Sequence, residues 1–98
     1  MTKDYSRDDG EPRITLRIVD IDNKKAQYAQ QVCRELLLSG QTNEKMIAAT
    51  LKREFDDHFG PTWHCVVGSA FGAHISHRDN HFLYFFIETF GVMIFKSV

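Results

Sequence analysis

Apolar residues in this chain recur with two different periods, and the switch from one to the other falls at Pro61. From Lys24 to Ser39, Ala26, Ala29, Val32, Cys33, Leu36 and Leu37 recur at intervals of three and four, the helical period, and Gly40 stands where a helix stop belongs. A second helix follows. Thr42 or Asn43 can cap it, its buried stripe is Ile47, Leu51, Phe55 and Phe59 at i, i+4 spacing, and Gly60-Pro61 ends it. Before the helices, Ile14 to Ile21 is rich in β-branched residues with partial alternation and stops at the turn signal Asp22-Asn23, which predicts a first strand. After Pro61 the segments WHCVVG, FGAHISH, HFLYFFI and FGVMIFK are short, aromatic and β-branched, and turn residues separate them. They predict four more strands.

One strand, two helices and four strands make an α+β domain: an antiparallel five-stranded sheet with both helices on one face. The strand pattern demands more cover than the helices provide. In HFLYFFI, Phe82, Tyr84 and Phe86 point one way and Leu83, Phe85 and Ile87 the other. The last strand repeats this, with Phe90, Val92 and Ile94 on one face and Met93 and Phe95 on the other, whereas a solvated face should alternate with polar residues. A two-fold dimer is the commonest cover for a second apolar face, so a homodimer is expected from the pattern alone. FGAHISH, weakened by Gly72 and by neighbouring Gly68, reads as an edge strand. Pairing such an edge with an extended segment of a partner is a recurrent mode of recognition.

The first 13 residues carry seven charges, a Gly and a Pro and little to bury, so a flexible charged tail is expected at 1–13 and a single domain at 14–98. A net charge of -1 provides no basic field for nucleic acid or an anionic membrane. Glu88 and Thr89 split the longest apolar stretch, so no membrane span is expected, and the N-terminus holds no signal-peptide run. Cys33 and Cys65 are too few for a disulfide scaffold and read as reduced, cytosolic thiols.

Candidate chemistry is sparse. His74 and His77 are three apart on a strand and so on opposite faces, and His81 lies past a turn, which argues against a convergent metal site with His58 or His64. Adjacent His64 and Cys65 point apart and cannot form a nucleophile pair. No phosphate-cradling glycine motif is present. Lys52 and Arg53 precede Asp56 and Asp57 by four, which reads as charge pairing on a solvated helix face. No enzyme, metal or cofactor is expected.

The block NEKMIAATLKREFDDHFGPTWHC, followed by PTWHCVVG, FGAHISH, HFLYFFI and the closing IFKS, resembles the dynein light chains of the eight-kilodalton family over residues 14–98. The resemblance implies a non-catalytic, strand-swapped two-fold dimer that binds short disordered segments, often with a Thr-Gln-Thr core, as an added strand. It implies a peptide groove formed by Phe71, Gly72, Ala73, His74, Ile75, Ser76 and His77, with Phe82, Tyr84 and Phe86 below. Glu44 and Lys45 match positions that receive the peptide glutamine at a helix N-terminus with free backbone N–H groups. Trp63, His64 and Ser76 of the two subunits fall at the implied dimer interface. The implied partners are a second copy or a related light chain, the dynein intermediate chain and other linear-motif proteins, with no nucleic acid and no membrane. The implied location is the cytoplasm and cytoskeleton, with cytoplasmic and axonemal dynein both open.

This chain departs from the family pattern in the groove. Ala73 and His74 stand where the family has a Ser or Thr and then a Tyr, Phe86 replaces a groove tyrosine, and Glu88 replaces a small residue. Each lost side-chain hydrogen bond costs about 0.5–1.5 kcal/mol, roughly two- to tenfold in affinity, with backbone pairing untouched. A specialised paralogue is implied. A general dimerisation hub for non-motor partners is the alternative, physically identical at the groove.

Overall fold

A computed structural model of the protein describes residues 10–69 and 78–97. The order is β1 (Ile14–Ile21), α1 (Asn23–Leu38), α2 (Glu44–Phe59), β2 (Trp63–Gly68), β3 (His81–Ile87) and β4 (Phe90–Lys96). The strands form one antiparallel sheet in the order β1-β3-β4-β2. Four strands are therefore described against the five expected, because the predicted strand FGAHISH lies outside the described residues.

The helices form where the periodicity places them, with identifiable stops. Asp22 does not make a turn; its carboxylate accepts the Lys24 N–H at 3.1 Å and caps α1, so the helix starts at Asn23. The expected choice between Thr42 and Asn43 falls to Asn43, whose Oδ1 accepts the Met46 N–H at 3.0 Å. Gly60 ends α2 at φ +78, a left-handed conformation that a side chain would strain.

Both helices lie on one face. α1 packs over β1 and β3, and α2 over β2 and β4. Ile47, Leu51 and Phe55 of α2 are buried, and Phe59 is half-buried against the same core. They meet Trp63, Leu83, Phe85, Ile87, Val92 and Ile94 from the sheet, together with Ala29 and Cys33 of α1. Fully burying one large apolar side chain contributes about 1.5–3 kcal/mol, so this stripe supplies most of what holds α2 to the sheet. The Phe55 ring meets Trp63 edge-on at 4.9 Å and Phe59 at 5.0 Å.

The described segment before β1 is tied at two points. The Glu11 carboxylate pairs with the Arg34 guanidinium of α1 at 3.0 Å. The Arg13 N–H donates to the Glu88 carboxylate at 2.6 Å, and the Glu88 N–H donates to the Arg13 carbonyl at 2.8 Å. Glu88 occupies the β3–β4 turn at φ +51, and these two bonds offset the strain of that conformation. Of the tail expected at 1–13, residues 1–9 lie outside the described residues.

Candidate functional site

The outer strands of the described sheet differ in how they present their edges. β1 carries a bulge between Leu16 and Ile18, which inserts Arg17 and breaks the alternation. Arg17 then swings to the face away from the helices, where its guanidinium lies 5.2 Å from the centre of the Phe86 ring. Bulge, Arg17 and Asp20 together blunt that edge against pairing, although Leu16, Ile18 and Val19 are about half exposed.

β2 has none of these devices. It pairs with β4 in unbroken register from Trp63↔Lys96 to Gly68↔Gly91, and WHCVVG contains no Lys, Arg, Asp or Glu. Its hydrogen-bond phase follows from two contacts. The Lys96 carbonyl accepts from Arg78 N–H at 3.0 Å, and Trp63 N–H donates to Asp56 Oδ1 at 2.8 Å, so the Trp63–Lys96 pair exchanges no ladder bonds. By antiparallel alternation His64, Val66 and Gly68 bond to β4, whereas Trp63, Cys65 and Val67 turn their backbone groups to the outer edge. Asp56 occupies the first of these donors. Those of Cys65 and Val67 have no partner among the described residues.

The i, i+4 spacing predicts that Asp56 pairs with Lys52 on a solvated helix face; the pair forms, and Asp56 also joins α2 to β2. Its other oxygen accepts the Lys52 ammonium at 2.5 Å. The Lys52 bond first, and the Trp63 N–H second, hold its carboxyl below the ordinary carboxylate range.

The face away from the helices carries His64 and Val66 of β2, Phe82, Tyr84 and Phe86 of β3, and Met93 and Phe95 of β4. Phe82 and Met93 are buried, Tyr84 and Phe86 are half-buried, and Val66 is 45% exposed. Phe82 lies against Phe95 at 6.3 Å and Tyr84 against Phe86 at 5.6 Å, so aromatic rings of this face meet in two pairs. The His64 ring stacks on Phe95 at 5.3 Å, with Nε2 3.4 Å from Ser97 Oγ.

The other expected site residues divide sharply. Glu44 and Lys45 open α2 with exposed side chains, and their N–H groups carry no hydrogen bond among the described residues. Trp63 is 0% exposed, packed between Phe55 and His81 with the Lys96 ammonium 5.4 Å above it. Its side chain presents no surface in the isolated chain. Phe71, Gly72, Ala73, His74, Ile75, Ser76 and His77 lie outside the described residues.

Cys33 is fully buried and Cys65 partly buried, and both are free. Burial pushes the Cys33 thiol up to about 12, and burial with Cys33 nearby raises Cys65 as well, so neither is a nucleophile at neutral pH.

The sequence profile of the family described as dynein light chain type 1 matches residues 13–97. The chain belongs to that family. Its members are in general non-catalytic adaptors that dimerise, bind linear motifs and associate with the cytoplasm and cytoskeleton. Among solved structures, the chain is similar to the dynein light chain-like domain of the Fasciola hepatica calcium binding protein FhCaBP2 in two crystals. The native crystal gives a TM-score of 0.76 at 17% identity over 92% of this chain and 96% of that one. The mercury derivative gives 0.75 at 16% identity over 87% and 92%. The dynein light chain-like domain of CsTAL3 matches at 0.70 with 15% identity over 86% and 92%. At these identities the structural likeness concerns the fold alone.

Proposed function

We propose that this chain is a non-catalytic light chain subunit of a dynein motor complex that dimerises and binds short linear motifs of dynein intermediate chains by β-strand addition. The β2 edge supports the reading: it is unbulged and uncharged, its outward donors at Cys65 and Val67 have no partner among the described residues, and the aromatic face adjoins it. Residues 71–77 of a second copy add to that edge, with His64 at the seam near Ser76 of the other subunit. The motif then pairs on the far side of the exchanged strand, above Phe82, Tyr84 and Phe86. The free N–H groups of Glu44 and Lys45 receive its glutamine.

Two symmetric grooves hold two motif-bearing chains side by side, so binding of the first raises the effective concentration for the second. The outcome is dimerisation of the partner and assembly of the complex. Calorimetric titration with a Thr-Gln-Thr peptide of a dynein intermediate chain tests this. One peptide per subunit, with a dissociation constant of about 1–100 μM, is expected, since backbone pairing survives the groove substitutions. A stable dimer that takes up no intermediate-chain peptide but does bind Thr-Gln-Thr segments of non-motor proteins would replace the motor-subunit reading with the hub.

A further inference from the structure

The two helices are each fastened to the sheet and touch each other sparsely, and a cavity of about 210 Å³ opens between them on the side away from the strands. Its floor is aliphatic, from Val32 and Leu36, and its walls are polar, from Tyr28 and Glu35 of α1 and Thr50 and Glu54 of α2. Sites for drug-sized ligands span roughly 300–1,000 Å³, so this volume suits one long side chain rather than a cofactor.

We propose that the crevice between α1 and α2 receives the side chain of an arginine presented by a partner protein, a contact separate from the β2 edge. The chemistry of the lining selects that occupant. An arginine carries an aliphatic stem that lies on Val32 and Leu36 and a planar cation with donors for carboxylates on two sides. Glu54 uses one oxygen to accept the Tyr28 hydroxyl at 2.5 Å, and Glu35 uses one to accept the Gln31 amide at 3.2 Å. The second oxygen of each carboxylate makes no hydrogen bond among the described residues. Arg34 of α1 pairs with Glu11, and His58 of α2 lies 3.7 Å from the Glu54 oxygen that already accepts from Tyr28, which leaves the second Glu54 oxygen to a ligand.

The local field agrees. The Tyr28 hydroxyl is pushed up to about 12, by burial first and then by Glu54, Glu35 and Asp57, all acting in the same direction. The crevice opens away from the strands, so a linear motif on the sheet and an arginine between the helices bind without competing.

The test is a ¹⁵N NMR titration of the full chain with N-acetyl-arginine amide, with N-acetyl-citrulline amide as the uncharged isostere. The arginine probe is expected to shift the amides of Tyr28, Gln31, Glu35 and Glu54 saturably, with a dissociation constant of about 1–10 mM, as for a single anchoring group. The citrulline probe should bind at least tenfold more weakly, and so should the arginine probe to the Glu35→Gln/Glu54→Gln variant, whose unchanged remaining spectrum verifies its fold. No saturable shifts at these amides, equal binding of citrulline, or undiminished binding to the variant would each overturn the proposal. Failure there leaves the β2 edge untouched, because peptide titration reads that site separately.

Discussion

Replacing Asp56 with Ala cuts the hydrogen bond that joins the end of α2 to the start of β2. The structure sets the magnitude. The bond from Trp63 N–H to the carboxylate, 2.8 Å long, is charge-assisted and contributes about 1.5–3 kcal/mol. The Lys52 pair is i, i+4 with side chains 43% and 23% exposed, so it adds only about 0.3–0.5 kcal/mol. Removing an acidic charge from the last helical turn returns about the same small amount, so the net loss is about 2 kcal/mol. In a domain of this size that lowers Tm by roughly 8–16 °C. Asp56→Asn keeps a neutral acceptor and should lose about half as much.

The same bond fixes a pH dependence. Asp56 has its folded pKa below the unfolded value of about 3.9, so its stabilisation is complete at neutral pH and fades as pH falls through the folded value. Thermal unfolding followed by circular dichroism, at fixed protein concentration, should show the gap between wild type and Asp56→Ala narrowing below about pH 4. A gap under 2 °C at pH 7, or one of equal size at pH 7 and in acid, would refute this account of Asp56.

Other substitutions probe the remaining links. Val66→Lys places a charge on the β2 edge without removing a ladder bond and should shift the dimerisation constant at least tenfold toward monomer by sedimentation, with secondary structure retained. Glu88→Ala loses the acceptor for Arg13 while keeping a side chain at φ +51, and should cost about 1–2 kcal/mol in urea unfolding. Glu88→Gly relieves the strain and should cost less than Ala, so the reverse order would contradict the backbone argument. Phe55→Ala empties the centre of the core between Trp63 and Phe59 and should cost about 3–5 kcal/mol, read from the same unfolding curves.

The helices were legible because a buried stripe at i, i+4 is redundant: Ile47, Leu51 and Phe55 each repeat the same information. Asp22 reads as a turn residue in the sequence because Asp serves turns and helix caps by the same side-chain-to-backbone bond, and only the following backbone decides between them. The bulge at Arg17 left its trace as imperfect alternation in ITLRIVDI, but which residue is inserted depends on the register with β3. Asp56 and Glu88 were opaque for a shared reason. Each bonds a backbone N–H outside its own element, Trp63 7 residues on in one case and Arg13 75 residues back in the other, and periodicity does not encode that partner. At the candidate site the aromatic strip on β3 was readable from its two apolar faces. The contrast between a blunted β1 edge and an open β2 edge was not, because it rests on the bulge and on the hydrogen-bond phase of β2.

That contrast is tested by measuring the solution mass of the wild type and of Val67→Pro by light scattering at micromolar concentration. Val67 turns its N–H to the outer edge, so proline there blocks strand addition while the β2–β4 ladder keeps its bonds. The wild type should weigh twice the 11.4 kDa of one chain, and the folded variant, checked by the near-ultraviolet signal of Trp63, should weigh 11.4 kDa. A monomeric wild type, or a folded Val67→Pro that remains a dimer, would contradict assembly through the β2 edge.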